Sequence, residues 1–157
     1  MILILFLLVA CAGHASTPDD HIVEPAKDVC LGERSKDVAA ELRHLRTIKG
    51  HFEGGTWNDD VDRWMGRKHR LMVQLGACLG TGEHSRVEVI RLLALPDQIA
   101  HEGDGLFDLV SSLPEFEKPA AGPYEFLIYF WRGKHDFLYF TLQGETVINS
   151  GWWYAGE

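Results

Sequence analysis

A chain of 157 residues with 46% hydrophobic and 24% charged content is long enough for one packed domain and too apolar to be disordered. Its formal charge of −8 excludes nucleic acid and anionic membrane as main partners, since both require clustered Lys and Arg.

Residues 1–15 open on the uncharged apolar run MILILFLLVACA, too short to span a bilayer, with small residues at Ala10, Ala12, Gly13 and Ala15. This layout predicts a secretory signal peptide cut after Ala12 or Ala15, and hence a secreted protein. A second reading comes from Leu8-Val9-Ala10-Cys11, which resembles a lipobox and would make the chain an envelope lipoprotein anchored at Cys11. No other stretch approaches the length of a transmembrane segment. Residues 16–34, with Pro18, Pro25 and several acids, read as an extended arm before a single domain at 35–157. Export leaves Cys30 and Cys78, which could form one disulfide worth about 4 kcal/mol. The plainer explanation is two buried thiols.

Ser35 is a fair N-cap, and Val38, Leu42, Leu45 and Ile48 recur at helical spacing until Gly50. After the loop His51–Asn58, a second helix is expected from Asn58 or Asp59. Its stripe is Val61, Trp64, Met65, Lys68, Met72, Leu75 and Leu79, ending at Gly80; Gly66 weakens it. Ser85-Arg86-Val87-Glu88 is a capping box. The helix it opens, Arg86–Leu95, shows Val87, Ile90 and Leu93 or Ala94 on one side and stops before Pro96. A short strand follows at Gln98–Ala100, then an acidic loop holding a short helix near Leu106–Ser111.

The last fifth of the chain holds most of its aromatic residues, in three strands: Tyr124–Arg132, His135–Leu142 and Thr146–Tyr154. The turns at Gly133-Lys134 and Gln143-Gly144 suit tight hairpins. The predicted fold class is therefore α+β: two or three N-terminal helices packed on a C-terminal antiparallel three-stranded meander. Alternation places Tyr124, Phe126, Ile128 and Phe130 on one face of the first strand. Leu138, Phe140 and Leu142 form the apolar set of the second. Leu127, Tyr129 and Trp131, followed by Phe137, Tyr139 and Thr141, make the complementary face. On the third strand Ile148 and Trp152 share one side, Val147 and Trp153 the other. Which set meets the helices depends on the cross-strand register.

The run Val87, Ile90, Leu92, Leu93, Leu95, Pro96, Asp97, followed by the strand Tyr124–Trp131, resembles the SmpA/OmlA family of BamE-like lipoproteins and the β-lactamase-inhibitor-protein repeats. There a helical pair precedes a curved antiparallel sheet. The family usually has glycine where this chain has Ala94, and its loop after Asp97 is shorter. The phrases GRKHRLM and YFWRGKHDFLYF are also similar to those of small secreted proteins, mainly fungal. These resemblances imply a scaffold that binds other proteins or joins an envelope assembly, rather than an enzyme class.

Two aromatic faces on one small sheet are more than the helices can cover. A face left in water would be an exposed patch, and such patches commonly mark partner surfaces. The expected contacts are Tyr129, Trp131, Phe137, Tyr139 and Trp153, with Arg132 and His135 on the rim, meeting a protein or a small apolar ligand. The plainer explanation is that the arm, the first helix or the acidic loop covers this face. The competing reading is a small secreted hydrolase or metal-dependent enzyme using His51, Glu53, His69 or His135. No His-x-x-x-His pair and no G-x-S-x-G elbow supports it, and no cofactor is expected. Arg63, Arg67, Lys68 and Arg70 read as a solvated helix face.

Overall fold

The computed structural model describes Gly32 and residues 35–156. The expected signal peptide, most of the arm, Cys11 and Cys30 lie outside the described residues. Among the described residues there are four α-helices, a short 3-10 helix and four strands. Helix α1 is Ser35–Leu45, α2 Arg67–Leu79, α3 Arg86–Leu93 and α4 Gly105–Ser111. Strand β1 is Gln98–Ala100, β2 Glu125–Arg132, β3 Asp136–Gln143 and β4 Thr146–Tyr154. The fold is α+β with one antiparallel sheet in the order β1-β2-β3-β4. The sheet has four strands rather than three, because Gln98–Ala100 pairs with Phe126–Ile128 and extends the meander. No helix among the described residues is long and apolar enough to cross a membrane.

Register decides the faces. Tyr129 lies opposite Leu138 and Leu127 opposite Phe140, whereas Ile128 lies opposite Tyr139 and Phe130 opposite Phe137. Leu127, Tyr129 and Trp131 therefore share a side with Leu138, Phe140 and Leu142, and that side meets Leu42, Leu75, Leu79, Val89 and Leu93 of the helices. Phe126, Ile128, Phe137 and Tyr139 form the other side, beneath Phe107 and Val110 of α4. The expected grouping of Tyr129 and Trp131 with Phe137 and Tyr139 is corrected accordingly. Alternation along one strand cannot say which residue faces which across the ladder. A bulge between Thr141 and Leu142 also moves Val147 onto the helix side, beside Trp152, leaving Trp153 opposite Phe137 on the other.

The glycine turns behave as their sequence predicts. Gly133 and Gly144 take φ 52° and 61°, the positive values that tight hairpins demand. A Cβ on Gly133 would stand 2.9 Å from the Phe52 carbonyl oxygen, so the β2–β3 turn docks on the 3-10 helix His51–Glu53.

Candidate functional site

The segment between the 3-10 helix and α2 is not the predicted first turns of a helix. Met65 adopts φ 56° and Gly66 is extended, so helical geometry starts only at Arg67. Instead Asn58–Gly66 is a built loop. The Asp62 carboxylate, 1% exposed, accepts from the backbone N–H of His51 at 3.0 Å and of Asn58 at 2.8 Å. Asn58 Oδ1 accepts from Asp60 N–H at 2.9 Å, and the Asp60 carbonyl accepts from Lys68 N–H at 2.7 Å. An aspartate that spends its carboxylate on loop amides holds a turn where the apolar spacing alone suggested a helix.

This loop pushes large side chains outward. Trp57 is 54% exposed, Trp64 55% and Met65 47%. Beneath them lies a ring cluster. His69 stacks on Trp131 with centroids 4.2 Å apart, and Trp64 touches both, at 4.5 Å from His69 and 5.7 Å from Trp131. Tyr154, exposed at the end of β4, stands 5.1 Å from Trp64 and parallel to Trp152. The cluster continues through Arg132, whose guanidinium lies 4.3 Å from the Trp131 ring centroid and 4.8 Å from that of Phe52. Phe52 in turn contacts His51 and His135, and His51 contacts Trp57. One end of the molecule thus carries a connected aromatic surface with an arginine inside it.

Charged side chains border the surface. A groove of about 510 Å³ runs between Asp59, Asp60, Arg63, Trp64, Met65, Arg67 and Arg70. Arg67 makes a two-pronged pair with Glu41, which holds the Glu41 carboxyl below its usual range. Arg63 faces Asp59 at 3.8 Å, and Asp59 accepts from the Trp57 indole N–H at 2.7 Å. Burial and the Arg132 guanidinium push the His69 imidazole down to about 4, against a smaller pull from Asp136. Tyr154 is pushed up to about 12 by burial and by Asp136. Asp136 is itself buried, accepting from Arg132 Nε at 2.7 Å and from Ala155 N–H at 3.0 Å.

The residues expected to form the contact surface separate on inspection. Tyr129, Trp131, Phe137 and Tyr139 are buried, the first two under the helices and the last two under α4 and the segment leading to β2. This corrects the expectation of an open sheet face. Helices cover one side and α4 with Phe116 covers the other, so the two apolar faces become two cores. Trp153 is half-buried on the second side. Arg132 and His135 do lie at the aromatic end, around Phe52. Of the residues in the enzymatic reading, His51 and His135 flank Phe52, Glu53 is exposed on the 3-10 helix, and His69 is sealed among tryptophans. Among the described residues no group of three or more His, Cys, Asp or Glu is placed to hold a metal ion.

Trp57, Trp64, Met65 and Tyr154 are contacts that spacing does not mark. Trp64 and Met65 keep the spacing of a helical stripe, while Trp57 in the loop HFEGGTWN does carry a signal: a large ring amid glycines and acids has no core to enter. The Arg86–Glu125 pair, joined by His101 Nδ1 at 3.2 Å from Glu125, borders a separate cleft of about 270 Å³ beside Tyr124. Cys78 is buried, and its expected partner lies outside the described residues. The chain matches no protein-family model, no curated protein and no solved structure.

Proposed function

We propose that this protein is an exported, non-enzymatic binding module whose contact surface is the loop end built on Trp57, Trp64, Met65 and Tyr154, and that its ligand is another protein. The observation that carries the reading is the exposure of two tryptophans by more than half on a loop locked by Asp62. Trp, Tyr, Met and Arg are the residues enriched in protein interfaces, where aromatic anchors sit inside a polar rim. Here Asp59, Asp60, Arg63, Arg67 and Arg70 supply that rim. A small-ligand pocket would wrap most of its ligand, whereas these rings project into solvent. The locked loop also limits the ordering cost of association.

The test compares wild type with Trp57→Ala/Trp64→Ala, using immobilised protein against the exported proteins of the same source. A protein partner retained by wild type and by the distant surface variant Leu95→Ala should weaken by roughly 30-fold or more for the double variant. Trp131→Ala should instead cost about 3–5 kcal/mol of folding stability, as deletion of a buried indole does. Equal retention by wild type and the double variant would sink the proposal. Export itself predicts a mature terminus at Gly13 or Ser16, or a lipidated Cys11, together with a Cys30–Cys78 bridge. Mass spectrometry before and after reduction reads both; an unprocessed Met1 terminus with Cys30 and Cys78 both free would oppose it.

A further inference from the structure

His69 is the residue that ties the exposed loop to the fold, and its partners assign both ring nitrogens. Met65 N–H donates to Nδ1 at 3.2 Å, so Nδ1 carries no proton in the closed loop. The proton resides on Nε2, which donates to the Tyr154 hydroxyl at 3.3 Å. The ring is 1% exposed, walled by Trp64, Trp131 and Trp152. Met65 meanwhile sits at φ 56°, a left-handed conformation that side-chain-bearing residues adopt only when the surroundings impose it. Its N–H bond to His69 is one of the contacts that hold the turn, beside Gly66 N–H to the Arg63 carbonyl at 2.7 Å.

We propose that His69 is an acid-released latch on the binding surface: a proton on Nδ1 converts the acceptor into a donor, expels the Met65 N–H, and frees Trp64 and Met65 from their displayed positions. The functional meaning rests on the binding surface proposed above; the physical event does not. The charged and titratable groups around the ring come from every neighbouring element. Arg132 of β2 opposes the proton, Asp136 of β3 favours it but is engaged by Arg132, and Tyr154 of β4 accepts at the other nitrogen. On α2 itself Lys68 points its ammonium at the Trp131 carbonyl, 2.7 Å away, and Arg70 is exposed. Asp59, Asp60 and Arg63 of the loop are exposed to solvent.

The sign follows from two protonation equilibria. Closed, the imidazole takes a proton only near pH 4; open, it does so at its ordinary value near 6.5. Protons therefore favour the open loop. Each pH unit between those values multiplies the open fraction about tenfold, up to roughly 300-fold.

Nuclear magnetic resonance of the full chain, titrated from about pH 7 to pH 3.5, tests this without any partner. The Met65 amide and the Trp64 indole should shift with the same midpoint as the His69 ring protons. The Trp131 indole N–H, bonded to the Val61 carbonyl at 2.8 Å, should hold its position. His69→Gln, whose carboxamide oxygen can accept from Met65 N–H without titrating, should abolish the transition. Should that variant not fold, the wild-type titration decides alone. The latch is overturned if Met65 and Trp64 stay fixed while His69 titrates, if His69 does not titrate, or if Trp131 collapses at the same midpoint. Any of these leaves the Trp57/Trp64 binding experiment standing, and loss of partner binding there says nothing against the latch.

Discussion

Single side chains in this protein do work that their residue type alone does not announce. Asp62 is an acid buried for its acceptor oxygens: both face loop amides, and a Cβ on neighbouring Gly50 would stand 2.1 Å from Oδ1. Asp62→Ala would leave the N–H groups of His51 and Asn58 without their acceptor. The expected loss is about 2–3 kcal/mol, from the usual penalty for orphaned buried donors, measured by urea unfolding. An unchanged midpoint would show that solvent reaches those amides and that the loop is not locked. Lys68 is a parallel case, a buried ammonium whose Nζ donates to the Trp131 carbonyl near the end of β2; burial lowers its pKa while Glu53, Asp97 and Asp62 oppose the shift. Neither role follows from spacing, because Lys68 depends on a partner 63 residues along the chain and Asp62 on a local reversal.

At the scale of elements, the features readable from sequence were those whose cause is local. The capping box is the clearest: Ser85 Oγ receives Glu88 N–H, and Glu88 Oε2 accepts from Ser85 N–H at 2.8 Å. Four consecutive residues contain the whole interaction. The hairpin glycines and the strand Gln98–Ala100 were legible for the same reason. The buried face of α3 was not: Val89, Leu92 and Leu93 enter the core, while Val87 is 69% exposed. Its short apolar helix offers two stripes, and only the neighbours choose between them. They are α1 with the turn after it, where Arg46 reaches the carbonyls of Leu93 and Leu95 and pairs with Asp97 at 3.0 Å, and the sheet. The start of α2 was misplaced because Val61, Trp64 and Lys68 keep helical spacing across a segment that is not helical. Gly66 was the sequence mark of that break.

The whole molecule is one sheet shared by two cores. Its helix side holds Leu75 and its partners, and its other side holds Phe107, Phe126 and Tyr139. Because β2, β3 and β4 each contribute to both, the cores should not melt separately. Leu75→Ala and Phe107→Ala are each expected to lose about 2–5 kcal/mol and to shift one common transition seen by tryptophan fluorescence and by circular dichroism. Two resolved transitions in either variant would show that the sides are independent. Closure of both faces is also why the expected site fell apart: the patch that alternation placed on an open sheet is interior, and the aromatic surface stands at the end of the sheet instead.

By itself the sequence determined the α+β class, the order of the main elements, the Ser85 capping box, the hairpin turns, and an excess of aromatic side chains near the C-terminus. Those properties come from interactions within a few residues, or from composition. Tertiary structure alone decided which rings are sealed and which are offered to solvent. Exposure depends on cross-strand pairing, on a bulge that shifts β4, and on a carboxylate that bends the chain between His51 and Arg67. Such long-range contacts leave no periodic trace along the chain.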